Sequence, residues 1–181
     1  MNDHPPSPQT RRRDTDVGSP SASIHVEDEQ HASAVAFRVD AARWTSLTAA
    51  VLDSCLPGTR VEVSILFVGE TRMAELNRQH LGGDGPTDVL AFPIDDEPDP
   101  LMTTDVPRLL GDVVVCPAVA ARNAPEHAGD YDDEIALLLV HGLLHLQGMD
   151  HGDEPERARM QDRERDLLLT HHGAPARNPW S

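Results

Sequence analysis

The sequence predicts a single α+β domain, a small mixed β-sheet of about four strands packed with helices. Three observations predict it. Every strand-like stretch falls before residue 117, residues 117 to 172 read as helix throughout, and 181 residues suffice for one sizeable core but not for two.

The elements follow in chain order. Residues 1–22 are rich in Pro, Ser, Asp and Arg without periodicity, which predicts a disordered tail. The folded domain is expected over 23–172, with a second tail at 173–181. Ser23-Ile24-His25-Val26 is a short strand candidate. From Asp40 to Ser54, Trp44, Leu47 and Val51 recur at spacings of three and four, the period of a helix with one inward face. After the Pro57-Gly58 break, Val61, Val63, Ile65 and Phe67 alternate with Glu62 and Ser64, the period of a strand. Glu70 to His80 reads as a helix with Met73, Ala74 and Leu76 inward. Leu81-Gly-Gly-Asp-Gly-Pro86 is a turn, and Thr87 to Phe92 a third strand. Asp95 to Arg108 carries three prolines and five acids and is expected as an exposed loop; Gly111 to Cys116 is the next strand. The last helix is expected from Pro155, with Met160, Leu167 and Leu168 inward.

Composition narrows the function. A formal net charge of -16 opposes a free nucleic-acid binder, because phosphate contacts need basic surface. All basic residues are arginine. Cys55 and Cys116 are far apart, offer neither a disulfide framework nor metal-ligand spacing, and are expected as buried thiols in a reducing compartment. No segment approaches the ~18 apolar residues of a membrane span. The first residues lack the apolar core of a secretory signal, so a cytoplasmic location is expected.

The informative stretch runs from Tyr131 to His151. Ile135 to Leu146 is apolar nearly all round, which predicts a buried helix, and Asp130, Asp132, Asp133 and Glu134 suit the positive end of its dipole. This helix holds His141 and His145, whose four-residue spacing places both imidazoles on one face. Gly148 stands where the helix ends and lets the chain reverse, so that His151 can swing back. Three imidazoles can hold one zinc ion and leave a fourth position open, the pattern of a catalytic rather than a structural zinc. One such ion is the cofactor expected. Single histidines in a core are usually just hydrogen-bonding groups; two on one buried face with a third after a glycine turn are not readily explained so. The remaining histidines, His127 among them, show no ligand-like spacing. The same spacing occurs in the metzincin peptidases, H-E-x-x-H-x-x-G-x-x-H, yet Gly142 stands where that pattern has its general-base glutamate. Asp150, beside the third histidine, is a candidate to orient an imidazole or to act as acid or base, or else a solvent-facing loop residue.

His141-Gly-Leu-Leu-His145-Leu-Gln-Gly148-Met-Asp-His151 resembles the H-G-x-L-H-L-x-G-x-D-H signature of the YbeY family. Pro86-Thr-Asp-Val-Leu-Ala-Phe-Pro93 is similar to that family's P-T-D-V-L-S-F-P segment, and Leu110-Gly-Asp-Val-Val-Val-Cys116 to its L-G-D-I-x-I-x strand. The matches occur in the family's order, within residues 23 to 172. The resemblance implies a single-domain α+β fold, one zinc ion on the three histidines, and metal-dependent, single-strand-specific endonucleolytic cleavage of RNA. It further implies work on the 3′ end of 16S ribosomal RNA and in ribosome quality control, in the cytoplasm, alongside a ribosomal protein or an assembly GTPase. One departure stands out. Leu81 occupies the place of a family arginine thought to hold phosphate, and His80 that of a tyrosine. Arg78 and His80 are candidates to substitute. Thr87 and Asp88, at the strand entry, are candidates to position substrate; ordinary hydrogen bonding at a strand entry is the other reading. The acidic balance favours RNA delivered on the ribosome or by a protein partner over capture of free RNA. Two other functions fit the histidines: a zinc hydrolase of another class, such as a peptidase, and a non-catalytic assembly factor stabilised by zinc.

Overall fold

The computed structural model describes residues 22–30, 37–94 and 106–180. The expectations for residues 1–21 and for the loop at 95–105 lie outside these. In chain order the elements are β1 (Ala22–Glu29), α1 (Ala41–Cys55), β2 (Val61–Val68), α2 (Glu70–His80), β3 (Val89–Pro93), β4 (Arg108–Val115), α3 (Pro117–Asn123), a short 3-10 turn (Ala124–Glu126), α4 (Tyr131–Leu146) and α5 (Glu154–His171). The strands form one sheet in the order β1-β2-β4-β3. β1 and β4 flank β2 in parallel, and β3 runs antiparallel along β4. This is the mixed four-stranded α+β domain the sequence predicts.

Alternation along β2 sorts the side chains between two cores. Val61, Val63, Ile65 and Phe67 join Trp44, Val51, Val113, Leu139, Leu143, Met160 and Leu168 in the main core, formed with α1, α4 and α5. Leu66 faces a smaller cluster with Met73, Leu90, Val114 and Cys116, which α2 covers. One face of the sheet is thus buried and the other partly covered, with alternate residues of β1 exposed; α4 is central, and nearly all of its residues from Glu134 to Leu146 are inaccessible.

The helix boundaries follow capping chemistry. Asp40, Asp130 and Asp153 each accept the backbone N–H three residues on, and α1 and α5 each begin one residue from the expected start. Strand lengths differ more. β1 runs for eight residues rather than four because its whole length pairs with β2, from Ala22 on Val61 to Glu29 on Val68. β3 is shorter than expected: Thr87 and Asp88 precede it, and only Val89 to Pro93 pair with β4. β4 begins at Arg108, three residues early, because the ladder with β2 slips between Glu62 and Val63. Leu110 is the extra residue of that bulge, and Gly111 follows at φ 126°. A Cβ on Gly111 would lie 2.0 Å from the Phe92 carbonyl oxygen, so only glycine fits. Cys116 is buried as expected, whereas Cys55 is only partly so. Among the described residues no helix is long and apolar enough to cross a membrane.

Candidate metal centre

α4 packs on β3 and β4, and a glycine sets how closely. A Cβ on Gly142 would stand 2.6 Å from Val113 Cγ1 on β4, so the helix approaches the sheet at this residue. His141 and His145 flank it on the helix. The helix then ends in a left-handed turn: Gly148 takes φ 83°, its N–H donates to the His145 carbonyl at 2.9 Å, and the Met149 N–H reaches back to the Leu144 carbonyl at 3.1 Å. Asp150 Oδ1 accepts the His151 backbone N–H at 2.7 Å, which shapes the return. That bond is to backbone; no described hydrogen bond joins Asp150 to an imidazole.

The three rings converge. One ligating nitrogen from each of His141, His145 and His151 lies within 4.8 Å of the others, and ring centroids stand 4.6, 5.0 and 5.5 Å apart. His141 Nε2 and His145 Nε2 are 3.1 Å apart. Two nitrogens on one tetrahedral zinc at ~2.0–2.1 Å would stand about 3.4 Å apart, so the pair already has the separation of shared ligands. The group can hold a metal ion, and its donors suit one of borderline softness.

What holds the first ring is not in the histidine motif. His141 Nδ1 faces Glu164 Oε1 at 2.7 Å, from α5, and Trp180 Nε1–H donates to Glu164 Oε2 at 2.8 Å. Glu164 is 5% exposed. With Nδ1–H donating to the carboxylate, Nε2 is left as the ligating atom. The segment expected as a tail brings Trp180 there. On the way, the Ala176 N–H donates to Asp133 Oδ2 at 2.7 Å and the Arg177 N–H to the Ala128 carbonyl at 2.9 Å.

His145 has its pKa lowered. Burial is the largest cause, since it disfavours the charged ring; the neighbouring His141 and His151 act in the same sense, and Asp150 opposes them. The ring is therefore biased toward the neutral form that ligates metal.

Two hollows meet at the histidines. An open cleft of about 710 Å³ lies between β3 and α4 and is lined by His80, Leu81, Thr87, Asp88, Gly142 and all three histidines. A second cavity, of about 300 Å³, joins His141 and His151 to His127, Arg157, Gln161 and Trp180. The fold thus brings His80, Thr87 and Asp88 to the histidines, but in differing states. Asp88 accepts from the Thr87 hydroxyl at 3.1 Å, the Val89 N–H at 2.9 Å and the Asn123 amide at 3.2 Å, so its carboxylate is largely committed to the strand entry. His80 packs edge-on against Phe92, with centroids 4.7 Å apart. Leu81 is 71% exposed on the cleft rim, and Arg78 is not among the lining residues. Among the described residues Arg157 lines the second cavity at the histidines, and its place on α5 gives no spacing that links it to them.

His127, expected without a partner, has one. Its Nδ1 lies 2.9 Å from Oε1 of Glu134, a carboxylate with no exposed surface, which also accepts the Ala128 N–H at 3.1 Å. The spacing of seven residues spans a turn and a helix start, which no single-element period would flag.

Comparison with known proteins places the chain in a family. A family model described as "Endoribonuclease YbeY" matches residues 25–172. Curated proteins named endoribonuclease YbeY include one from Beutenbergia cavernae, 42% identical over 73% of this chain and 89% of its own length. Another, from Thermobifida fusca, is 40% identical over 81% of this chain and 92% of its own. Among solved structures, the solution structure of TM1509 from Thermotoga maritima is similar at 25% identity and a TM-score of 0.50, covering 88% of this chain and 99% of that one.

Proposed function

The chain belongs to the YbeY endoribonuclease family, and from that premise we propose that it is a zinc-dependent, single-strand-specific endoribonuclease. Its expected work is maturation of the 16S ribosomal RNA 3′ end and ribosome quality control, in the cytoplasm, with a ribosomal protein or assembly GTPase as partner. The observation that carries the reading is the convergence of three imidazole nitrogens within 4.8 Å at an open cleft.

His141, His145 and His151 would hold the ion. When bound, zinc supplies Lewis acidity, acidifying water and polarising a phosphoryl oxygen. The protein's own part is to keep the imidazoles neutral and aimed, by burial of His145 and by the Glu164 carboxylate at His141. Thr87, whose hydroxyl proton goes to Asp88, keeps lone pairs toward the cleft and suits contact with a ribose hydroxyl. Arg157, paired with Glu154 at 3.1 Å, is our candidate for the phosphate contact that Leu81 cannot make. A peptidase reading loses its base: Gly142 has no room for a glutamate against Val113.

Incubation of the purified protein with ribosomal RNA precursor and with casein, each with and without a chelator, tests the reading. Chelator-sensitive cleavage of the RNA, lost in His145→Ala, is expected. Cleavage of casein alone would point to a peptidase. A folded, zinc-free His145→Ala variant that still restored rRNA processing in cells would leave an assembly factor.

A further inference from the structure

We propose that Glu164 and Trp180 form a positioning unit for the metal centre, in which the segment after α5 fixes the tautomer and aim of His141. The proposal rests on the metal reading of the three histidines but is independent of the reaction they perform.

The geometry is specific. Each oxygen of one buried carboxylate has its own N–H partner: Oε1 faces His141 Nδ1 at 2.7 Å, and Oε2 accepts from Trp180 Nε1 at 2.8 Å. A carboxylate 5% exposed is costly to bury unless its lone pairs are satisfied, and these two bonds satisfy both oxygens. Trp180 occupies one of them, which leaves the other directed at His141. The ring cannot then rotate without leaving a buried acceptor unpaired. Such partners raise the basicity of a ligating imidazole and hold its orientation, and their loss typically weakens metal affinity about 10–100-fold.

Trp180 is itself held from several sides. Arg165 lies over its ring at 4.9 Å, and its backbone N–H donates to Asn178 Oδ1 at 3.1 Å. Upstream, Ala176 and Arg177 are tied to Asp133 and Ala128. A Cβ on Gly129 would meet Ala176 Cβ at 2.7 Å, so the segment is seated closely on the loop before α4. The metal centre is therefore braced through Glu164 and Trp180 by residues that carry no ligand.

The test is metal affinity, read by competition with a chelating dye, together with the visible absorption of the cobalt-substituted protein. Glu164→Gln keeps size but presents an oxygen to only one of the two N–H groups. Its zinc affinity is expected to fall about 10–100-fold. Trp180→Phe keeps the aromatic volume and removes only the donor; a smaller loss in the same direction is expected, with an altered cobalt spectrum. A role in folding alone would lower the melting temperature of the metal-free protein while leaving the affinity and spectrum of the folded fraction unchanged, and that result overturns the proposal. Failure of the metal reading is separately visible: the unaltered protein would then bind zinc no better than His145→Ala.

Discussion

An imidazole half-buried beside two others is costly to protonate, and His145 is in that position. Its pKa is lowered, first by burial and then by His141 and His151. In the unfolded chain the ring titrates near its ordinary value of 6.5. As pH falls through that value, the unfolded state takes up a proton that the folded state refuses, so folding stability is lost on acidification. Metal-free protein is expected to lose stability to denaturant between pH 7.5 and 5.5, and His145→Gln to lose less over the same range. Equal slopes for the two proteins would show that this ring does not carry the effect. Residue identities at the centre were legible in the sequence because His141, His145 and His151 depend only on a helix period and a glycine turn. Their supports were not. Glu164 lies on another helix and Trp180 beyond it, and Glu134 reaches His127 across a loop, so only tertiary packing unites them.

At the scale of elements, two glycines decide how the sheet and the central helix meet. Gly142 lets α4 approach Val113, and Gly111 lets β4 bulge beneath the Phe92 carbonyl. Their penalties should differ. At Gly142 the obstacle is a side chain, the buried Val113, so Gly142→Ala is expected to cost about 1–3 kcal/mol, the range of an overpacked core. At Gly111 the obstacle is backbone, 2.0 Å away at φ 126°, and Gly111→Ala should cost about 4 kcal/mol or more. Denaturant unfolding of both variants checks the order, and equal costs would contradict it. Strand alternation predicted β2 closely, since its period is written in Val61 to Phe67. It failed for the ends of β3 and β4. Thr87 suits a strand by residue type, but with Asp88 its side chain forms the entry cap, and the bulge at Leu110 breaks the period that would have announced Arg108 to Leu110.

Across the whole molecule, charge sets the terms on which RNA can approach. With a net charge of -16 the protein repels a polyanion, and among the described residues Arg157 lines the smaller cavity beside His141 and His151. Affinity built on phosphate contacts falls with salt at a log–log slope of about -0.7 per contact for single strands. A single such contact, the one proposed for Arg157, would give a shallow dependence and weak binding of free RNA. On the proposed function, a ribosomal particle or a bound protein would supply further basic surface. Two consequences are measurable. Free single-stranded RNA should bind weakly with a slope near -0.7, and Arg157→Ala should flatten that slope without unfolding the protein, because the side chain is half-exposed and, among the described residues, pairs with Glu154 on its own helix. On the proposed function, the 3′ segment of 16S RNA presented on an assembled small subunit should be cleaved faster at physiological salt than when naked. Tight binding of naked RNA with a steep salt slope would mean that the acidic surface conceals an extended basic path, and delivery by a partner would no longer be needed to explain how an anionic enzyme meets an anionic substrate.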